Sequence, residues 1–554
     1  MVALSVGSPL WADEPVAVKM PAAVSNYDIP QVEFINQKIR QGWRDFEIQP
    51  SEPASEEEWC RRVHLDVIGR IPSYTELKTF LDDYSPDKKA KLVNRLLSEE
   101  YAEEYARNWT TIWTNLLIGR SGGADRDSMA NRPGMQQYLR RSFGRNKPFD
   151  QMAHELISAS GVNKPGSPDF NGAANYLADK MAEDGVLATS KTSELFMGIR
   201  VQCTQCHDHP FNSWKQNQFW EMNAFFRQTR PLRRYEGGQD VQFIELVDED
   251  FAGEGGNPND AEIYYEQRNG VLKVAYPVFT DVDGTQTELG KSGFVEDVNR
   301  REELAKLIVN SGYMPQAIVN RMWGHFLGYG FTKPVDDMGP HNPPTHPELL
   351  ERLGEEFRAG NYDLKNLIRW IALSEPYSLS SKFHSGNKRD DPTLGEKPIF
   401  SRFYLRQMSA EQLYESLLVA TQAHKTRGSY EEQEDAKSQW LQQFTIAFGT
   451  DENDEATTFN GTIPQVLMMF NGDLIKKATS AEKGSFLEKV AATPGATRSQ
   501  KIEYLYMAAL SRKPTSSETR LVAKLFAGGN VDVKAAAQDL WWALLNTNEF
   551  ILIH

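Results

Sequence analysis

Nine residues, Cys203-Thr204-Gln205-Cys206-His207-Asp208-His209-Pro210-Phe211, bring metal- and haem-reactive side chains to close spacing. Cys-x-x-Cys-His is the spacing that attaches a c-type haem. On a helical turn Cys203 and Cys206 stand at i and i+3, so both thiols face one side. There they can add to the two vinyl groups of one porphyrin while His207 offers its imidazole to the iron. The chain has 3 cysteines in 554 residues, so this pairing with an adjacent histidine is an uncommon coincidence. The same residues admit other chemistry. A Cys-x-x-Cys can be a redox disulfide, and Cys203, Cys206, His207 and His209 are four zinc donors in one short stretch. Structural zinc sites usually draw on two separated pairs, and the sequence holds no second one. Haem c is the favoured reading and zinc the alternative.

The surrounding pattern is helical. Leu195, Phe196 and Ile199 recur at helical spacing and lead into Cys203, and Ser213-Trp-Lys-Gln216 reads as a capping box for the next helix. Phe211, Trp214, Trp220 and Phe225 offer apolar walls of the kind a porphyrin face needs. Residues 13–50 read as an extended lead-in, with regular helical signals beginning near Glu56. Capping boxes at Ser73–Glu76, Thr345–Glu348, Ser409–Gln412 and Thr515–Glu518 mark helix starts. Tyr105, Trp109, Ile112, Trp113 and Leu116 form an aromatic helical stripe read as core, and Cys60 reads as a buried free thiol. Residues 230–295 change to alternation, with a hairpin across Asn269-Gly270 and a turn at Asp281–Gly284. The expectation is a mainly α protein, two helical domains with a small β-rich insertion between them. The boundaries are a lead-in over 1–27, a domain over 28–229, the insertion over 230–298 and a second domain over 299–554.

Net charge is −15, which argues against nucleic acid and anionic membrane as partners. No run of eighteen or more apolar residues occurs, so no transmembrane segment is expected. Met1 to Ala12 has the small, apolar character of the end of a secretory signal, followed by Asp13-Glu14. Covalent haem attachment outside the bacterial cytoplasm agrees with export.

Longer stretches resemble a known family. In the first half these are Arg61-Arg-Val-His-Leu-Asp-Val-Ile-Gly69 with Pro72, and Cys203–Phe211 followed by Trp214 and Phe225-Phe226. In the second half they are Val319-Asn-Arg-Met-Trp-Gly-His-Phe-Leu-Gly328, Pro334–Gly339, Pro343–Leu350, Tyr362–Lys365, Leu417, and Leu540–Asn546 with Glu549-Phe550. The chain resembles, from about Asp28 to His554, the secreted cytochrome-associated proteins of planctomycetes and related bacteria. These pair two domains of unknown function, the first named a planctomycete cytochrome-C-type domain. The resemblance implies secretion to the periplasm or the exterior, and haem, without implying a substrate. Many relatives carry a further small cytochrome c domain at the N-terminus, and no such domain occurs in this sequence.

His207 is then the proximal ligand. His325, His341 and His346, with Met197 and Met222, are the candidates for the other face of the iron. Arg321, His325, Asp336, Asp337 and His346 form a set able to do acid–base work, or else a buried network bracing helix ends. Three functions remain open. One is an exported haem c protein that passes electrons to a redox partner or oxidises a small molecule or sugar. The second is a zinc-dependent hydrolase, with a glycan as a reasonable substrate, using the Cys/His cluster with Asp336 or His346. The third is a non-catalytic scaffold stapled by the motif.

Overall fold

From Trp59 to Ile68 every residue of the helix Glu56–Ile68 is buried, charged ones included. Burying Arg61, Arg62 and Asp66 is tolerable only because each makes several hydrogen bonds with distant chain. Arg61 donates to the carbonyls of Ala509 (2.8 Å) and Phe550 (2.9 Å). Arg62 donates to those of Leu379 (2.9 Å) and His554 (3.0 Å). Asp66 accepts from Arg406 at 2.8 and 3.0 Å and from the Tyr377 hydroxyl at 2.7 Å. The stretch Arg61–Asp66 thus stitches the first half to the second. The helix closes at Gly69 with φ +77, where a Cβ would lie 2.5 Å from Asn108 Oδ1, so glycine is required.

The computed structural model describes residues 20–123, 128–235, 241–249, 263–290, 298–426, 429–448, 463–526 and 532–554. The export-signal reading of Met1 to Ala12 lies outside them. The architecture is mainly α. In the first half Pro30–Asp45, Glu56–Ile68, Ala102–Ile118, Arg132–Gly144 and Phe149–Ser158 supply the principal helices; in the second half Arg300–Asn310, Tyr313–Leu327, Pro347–Ala359, Leu364–Ala372 and Ala410–Thr421 do so. Helices Arg498–Leu510 and Val533–Leu545 follow. One continuous hydrophobic core runs through both halves. The aromatic stripe lies in it, with Tyr105, Trp109 and Trp113 each 1% exposed. Cys60 is buried and free.

Three local expectations are corrected. Residues 13–50 are not an extended lead-in throughout, because Pro30 at the first helical turn opens Pro30–Asp45, which buries Val32, Ile35 and Ile39. Ser213 does not cap a helix: the helix begins at Gln216, and Gln218 accepts the N–H of Lys215 at 2.8 Å. Thr345 does not cap the helix Pro347–Ala359 either. His346 holds the N-cap position, while the Thr345 N–H goes to the Phe331 carbonyl at 2.9 Å. The boxes at Ser73, Ser409 and Thr515 form as read.

The β elements are small. Thr229–Tyr235 pairs antiparallel with Val241–Asp248, whose other edge takes Gly161–Val162 from the first half. Ile263–Glu266 and Leu272–Ala275 form the hairpin across Asn269-Gly270, and Val278–Thr280 with Gln286–Glu288 closes over Asp281–Gly284. The first hairpin has a positioning role. Tyr265 stacks on Trp220 at 5.9 Å, and the Glu266 carbonyl takes a hydrogen bond from Gln216 at 2.9 Å, which sets the helix Gln216–Asn223 behind the Cys-x-x-Cys-His turn.

Candidate functional site

The motif occupies a short 3-10 turn, Gln202–Gln205, with Cys206 closing it. Thr204 is the inward anchor: it is fully buried, and its hydroxyl and N–H both reach the Val201 carbonyl, at 2.5 and 2.9 Å. With Thr204 turned in, Cys203 and Cys206 are turned out, both exposed and both unpaired. The Gln205 carbonyl between them is held by Gln216 Nε2 at 3.2 Å and Trp220 Nε1 at 3.0 Å. Partial desolvation by its neighbours pushes the Cys203 thiol up from its ordinary value, and the nearby Asp337 carboxylate adds to the effect.

His207 and His209 are set differently by their neighbours. His207 is half-buried, and its Nδ1 lies 2.7 Å from the Asp208 carbonyl. A carbonyl only accepts, so Nδ1 carries the hydrogen and the Nε2 lone pair is free. Asp208 in turn accepts the Gln216 N–H at 3.0 Å and pairs with Lys215 at 3.2 Å, and these hold its carboxyl below the usual range. His209 Nδ1 accepts the N–H groups of Phe211 (3.2 Å) and Asn212 (3.0 Å). Its neutral ring therefore carries the hydrogen on Nε2 and offers no spare lone pair. Partial burial, then the neighbouring His341, lower its pKa.

The second half meets this turn through the loop Lys333–Asn342. Met338 donates its N–H to the Gly198 carbonyl at 2.8 Å. Gly198 has φ +68, and a Cβ there would lie 2.5 Å from Met338 Cε and 3.1 Å from Ala317 Cβ. Asp336 is buried and takes Arg200 at 2.7 Å, with Arg321 at 3.8 Å. Glu194 faces the same carboxylate and pairs with Lys191 at 2.9 Å; burial, then Asp336, raise its pKa. Asp337 lies 3.1 Å from His341, whose ring is 5.5 Å from that of His209. Asn320, in the helix Tyr313–Leu327, braces the loop by donating to Thr332 Oγ1 and to the Val335 carbonyl, both at 2.8 Å.

Of the acid–base set, Arg321, Asp336 and Asp337 come together beside the motif and His325 and His346 do not. His325 is half-buried, its ring 5.0 Å from Trp109 and its Nε2 3.3 Å from the Asp66 carbonyl, and desolvation lowers its pKa. His346 packs against Phe331 and Phe400, and burial pushes it down to about 4. Arg200 and Glu194 join the site without having been singled out; Arg200, three residues before Cys203, was the legible hint. Phe211 is 76% exposed and Trp214 and Trp220 border the turn, but Phe225 is core.

The donor set suits a haem. Two free outward thiols share one turn, the adjacent histidine has its Nε2 lone pair free, and an exposed phenyl ring stands beside them. Zinc fits less well. Among the described residues no three His, Cys, Asp or Glu side chains are grouped as a metal ion needs, and His209 has committed its lone pair to the backbone.

Residues 34–231 match the family model described as PSCyt2, protein of unknown function (DUF1549). Residues 300–455 match a second, PSD1, protein of unknown function (DUF1553). The chain pairs two domains of unknown function. The Cys-x-x-Cys-His turn falls within the PSCyt2 range and the loop Lys333–Asn342 within the PSD1 range, so the site lies where the two domains meet. No curated protein and no solved structure matches the chain. Among the described residues no helix is long and apolar enough to cross a membrane.

Proposed function

We propose that the protein is an exported c-type haem-binding protein with a redox role, passing electrons to a partner or oxidising a small molecule or sugar. The observation that carries this reading is the pair of outward, unpaired thiols Cys203 and Cys206 on one turn, followed by His207 with its Nε2 lone pair free. Cys203 and Cys206 would hold the group and His207 would be its proximal ligand. A bound haem supplies one-electron transfer or, with one axial position open, chemistry on a small ligand. The protein's own contribution is orientation: Thr204, Gln216 and Trp220 fix the turn, and the Asp208 carbonyl fixes the His207 tautomer. Arg200, Arg321, Asp336 and Glu194 place a charged, partly enclosed patch at the domain junction, suited to hold a polar substrate or to move its protons.

The test is expression in a host that carries haem c maturation machinery, followed by oxidised and dithionite-reduced absorption spectra. A Soret band that survives acid-acetone extraction, and is lost in the Cys203→Ser, Cys206→Ser protein, is the expected result. A colourless wild-type protein holding stoichiometric zinc would overturn the haem reading and revive the hydrolase.

A further inference from the structure

Glu194 lies where the backbone widens: Ser193–Met197 winds as a π-helix, a form that recurs at functional sites. It belongs to the first domain, whereas Asp336 comes from the loop Lys333–Asn342 of the second. The two carboxyls are hydrogen-bonded to each other across the junction. An ionised carboxylate only accepts, so such a contact holds one proton.

The neighbours decide which residue keeps it. Arg200 sets Nε at 2.9 Å and Nη2 at 2.7 Å from Asp336 Oδ1, and Arg321 brings Nη2 within 3.8 Å of Oδ2. Glu194 has the weaker cationic company. Lys191, from Ala182–Thr192, meets it at 2.9 Å, and only 14% of its side chain is exposed. Arg321, from Tyr313–Leu327, reaches its backbone instead, with Nη2 3.4 Å from the Glu194 carbonyl. Tyr176, from Asn175–Ala178, also faces it and shares a hydrogen bond with Thr192 at 3.0 Å. Burial, then the Asp336 charge, raise Glu194 above its ordinary 4.5 against the pull of Lys191. The proton therefore sits on Glu194.

This contact bears on how the loop is seated. Two residues beyond Asp336, Met338 donates its N–H to the Gly198 carbonyl at 2.8 Å, so the loop is tied to the first domain at neighbouring points. Once the proton leaves, two carboxylates face each other in a partly enclosed junction, and attraction turns to repulsion.

We propose that Glu194 and Asp336 form a pH-sensitive latch between the two domains, closed by the proton they share and loosened when Glu194 ionises. The latch stands on the junction itself and is independent of the haem reading.

The test follows urea unfolding of the wild type and of Glu194→Gln, whose amide keeps a donor toward Asp336 at every pH. A group raised in the fold stabilises it below the unfolded value, and that stabilisation is lost as pH rises through the folded one. The wild type is therefore expected to lose ground to Glu194→Gln as pH rises above about 4.5, the ratio of their unfolding constants changing by about tenfold or more. His64 and His346 titrate in the opposite sense and cancel, being present in both proteins. Hydrogen–deuterium exchange of residues 333–342, corrected for the intrinsic rate, is expected to quicken with pH in the wild type and not in the variant. Should Glu194→Gln fail to fold by circular dichroism, Asp336→Asn, whose amide donates to an ionised Glu194, takes its place with the same expectation. A ratio that stays constant with pH would overturn the shared proton. A changing ratio with no change in exchange would overturn the latch.

Discussion

Replacing Asp66 by alanine removes the acceptor on which two buried groups from the second half converge. The Asp66 carboxylate is fully buried and its partner Arg406 is 9% exposed, so water cannot take over the lost contacts. Breaking a buried ion pair by deleting one partner costs about 3–5 kcal/mol. The Tyr377 hydroxyl, also buried, loses its acceptor, which adds about 1–3 kcal/mol. Because the two losses share one cavity, a total of about 4–6 kcal/mol is expected rather than the full sum. That is comparable to the whole stability of many domains. Urea unfolding followed by circular dichroism should show Asp66→Ala shifted to a far lower midpoint. Asp66→Asn should fall roughly half as far, since its amide oxygen still accepts one bond. Arg406→Met added to Asp66→Ala should be less damaging than the separate losses by about 2–3 kcal/mol, as removing both members leaves no lone buried charge. An Asp66→Ala protein destabilised by under about 1 kcal/mol, or strict additivity with Arg406→Met, would refute the view that this pair joins the halves.

Other outcomes follow from the same geometry. Gly198→Ala must accept a left-handed backbone and a Cβ against Met338 and Ala317, so a loss of about 1–2 kcal/mol is expected in thermal unfolding. A Gly198→Ala protein as stable as wild type would show that the junction adjusts freely. His64 and His346 are each held neutral by burial, pushed down to about 4 from an ordinary 6.5. The unfolded chain binds these protons first, so their contribution is intact above pH 6.5 and is lost as pH falls from there towards 4. Each can remove up to about 3 kcal/mol. Urea midpoints measured from pH 7.5 to 4.5 should fall, and His346→Phe should flatten part of that slope. An identical slope in the variant would sink the attribution.

What the sequence made legible was local. The Asn269-Gly270 hairpin and the Ser73, Ser409 and Thr515 boxes are decided by residues within a few positions of one another, and they form as read. Ser213 and Thr345 carry the same box spacing but were preempted by other contacts. Gln218 serves Lys215, and Thr345 is drawn into the Phe331 loop. The helix Pro30–Asp45 had its signal, an apolar stripe behind a first-turn proline, masked by the composition around it. The chemistry of Cys203, Cys206 and His207 was readable because spacing alone puts it on one turn. Arg321, Asp336 and Asp337 were named from the second half by residue type, but their place beside this turn was not legible, since Arg200 and Asp336 are 136 residues apart and only packing brings them together. That Asp337 lies beside His341 was likewise a matter of the loop's folding and not of spacing along the chain.

The central helix also imposes a timetable. Arg61 is bonded to carbonyls 448 and 489 residues further along. At a synthesis rate of roughly 5–20 residues per second, the first of these acceptors emerges about 20–90 s after the arginine. Over that interval Arg61 lacks the carbonyls that accept its hydrogen bonds, so the leading half cannot bury this helix as the finished fold does. The nascent first half must stay open or shielded until the segments carrying Ala509 and Phe550 can reach it.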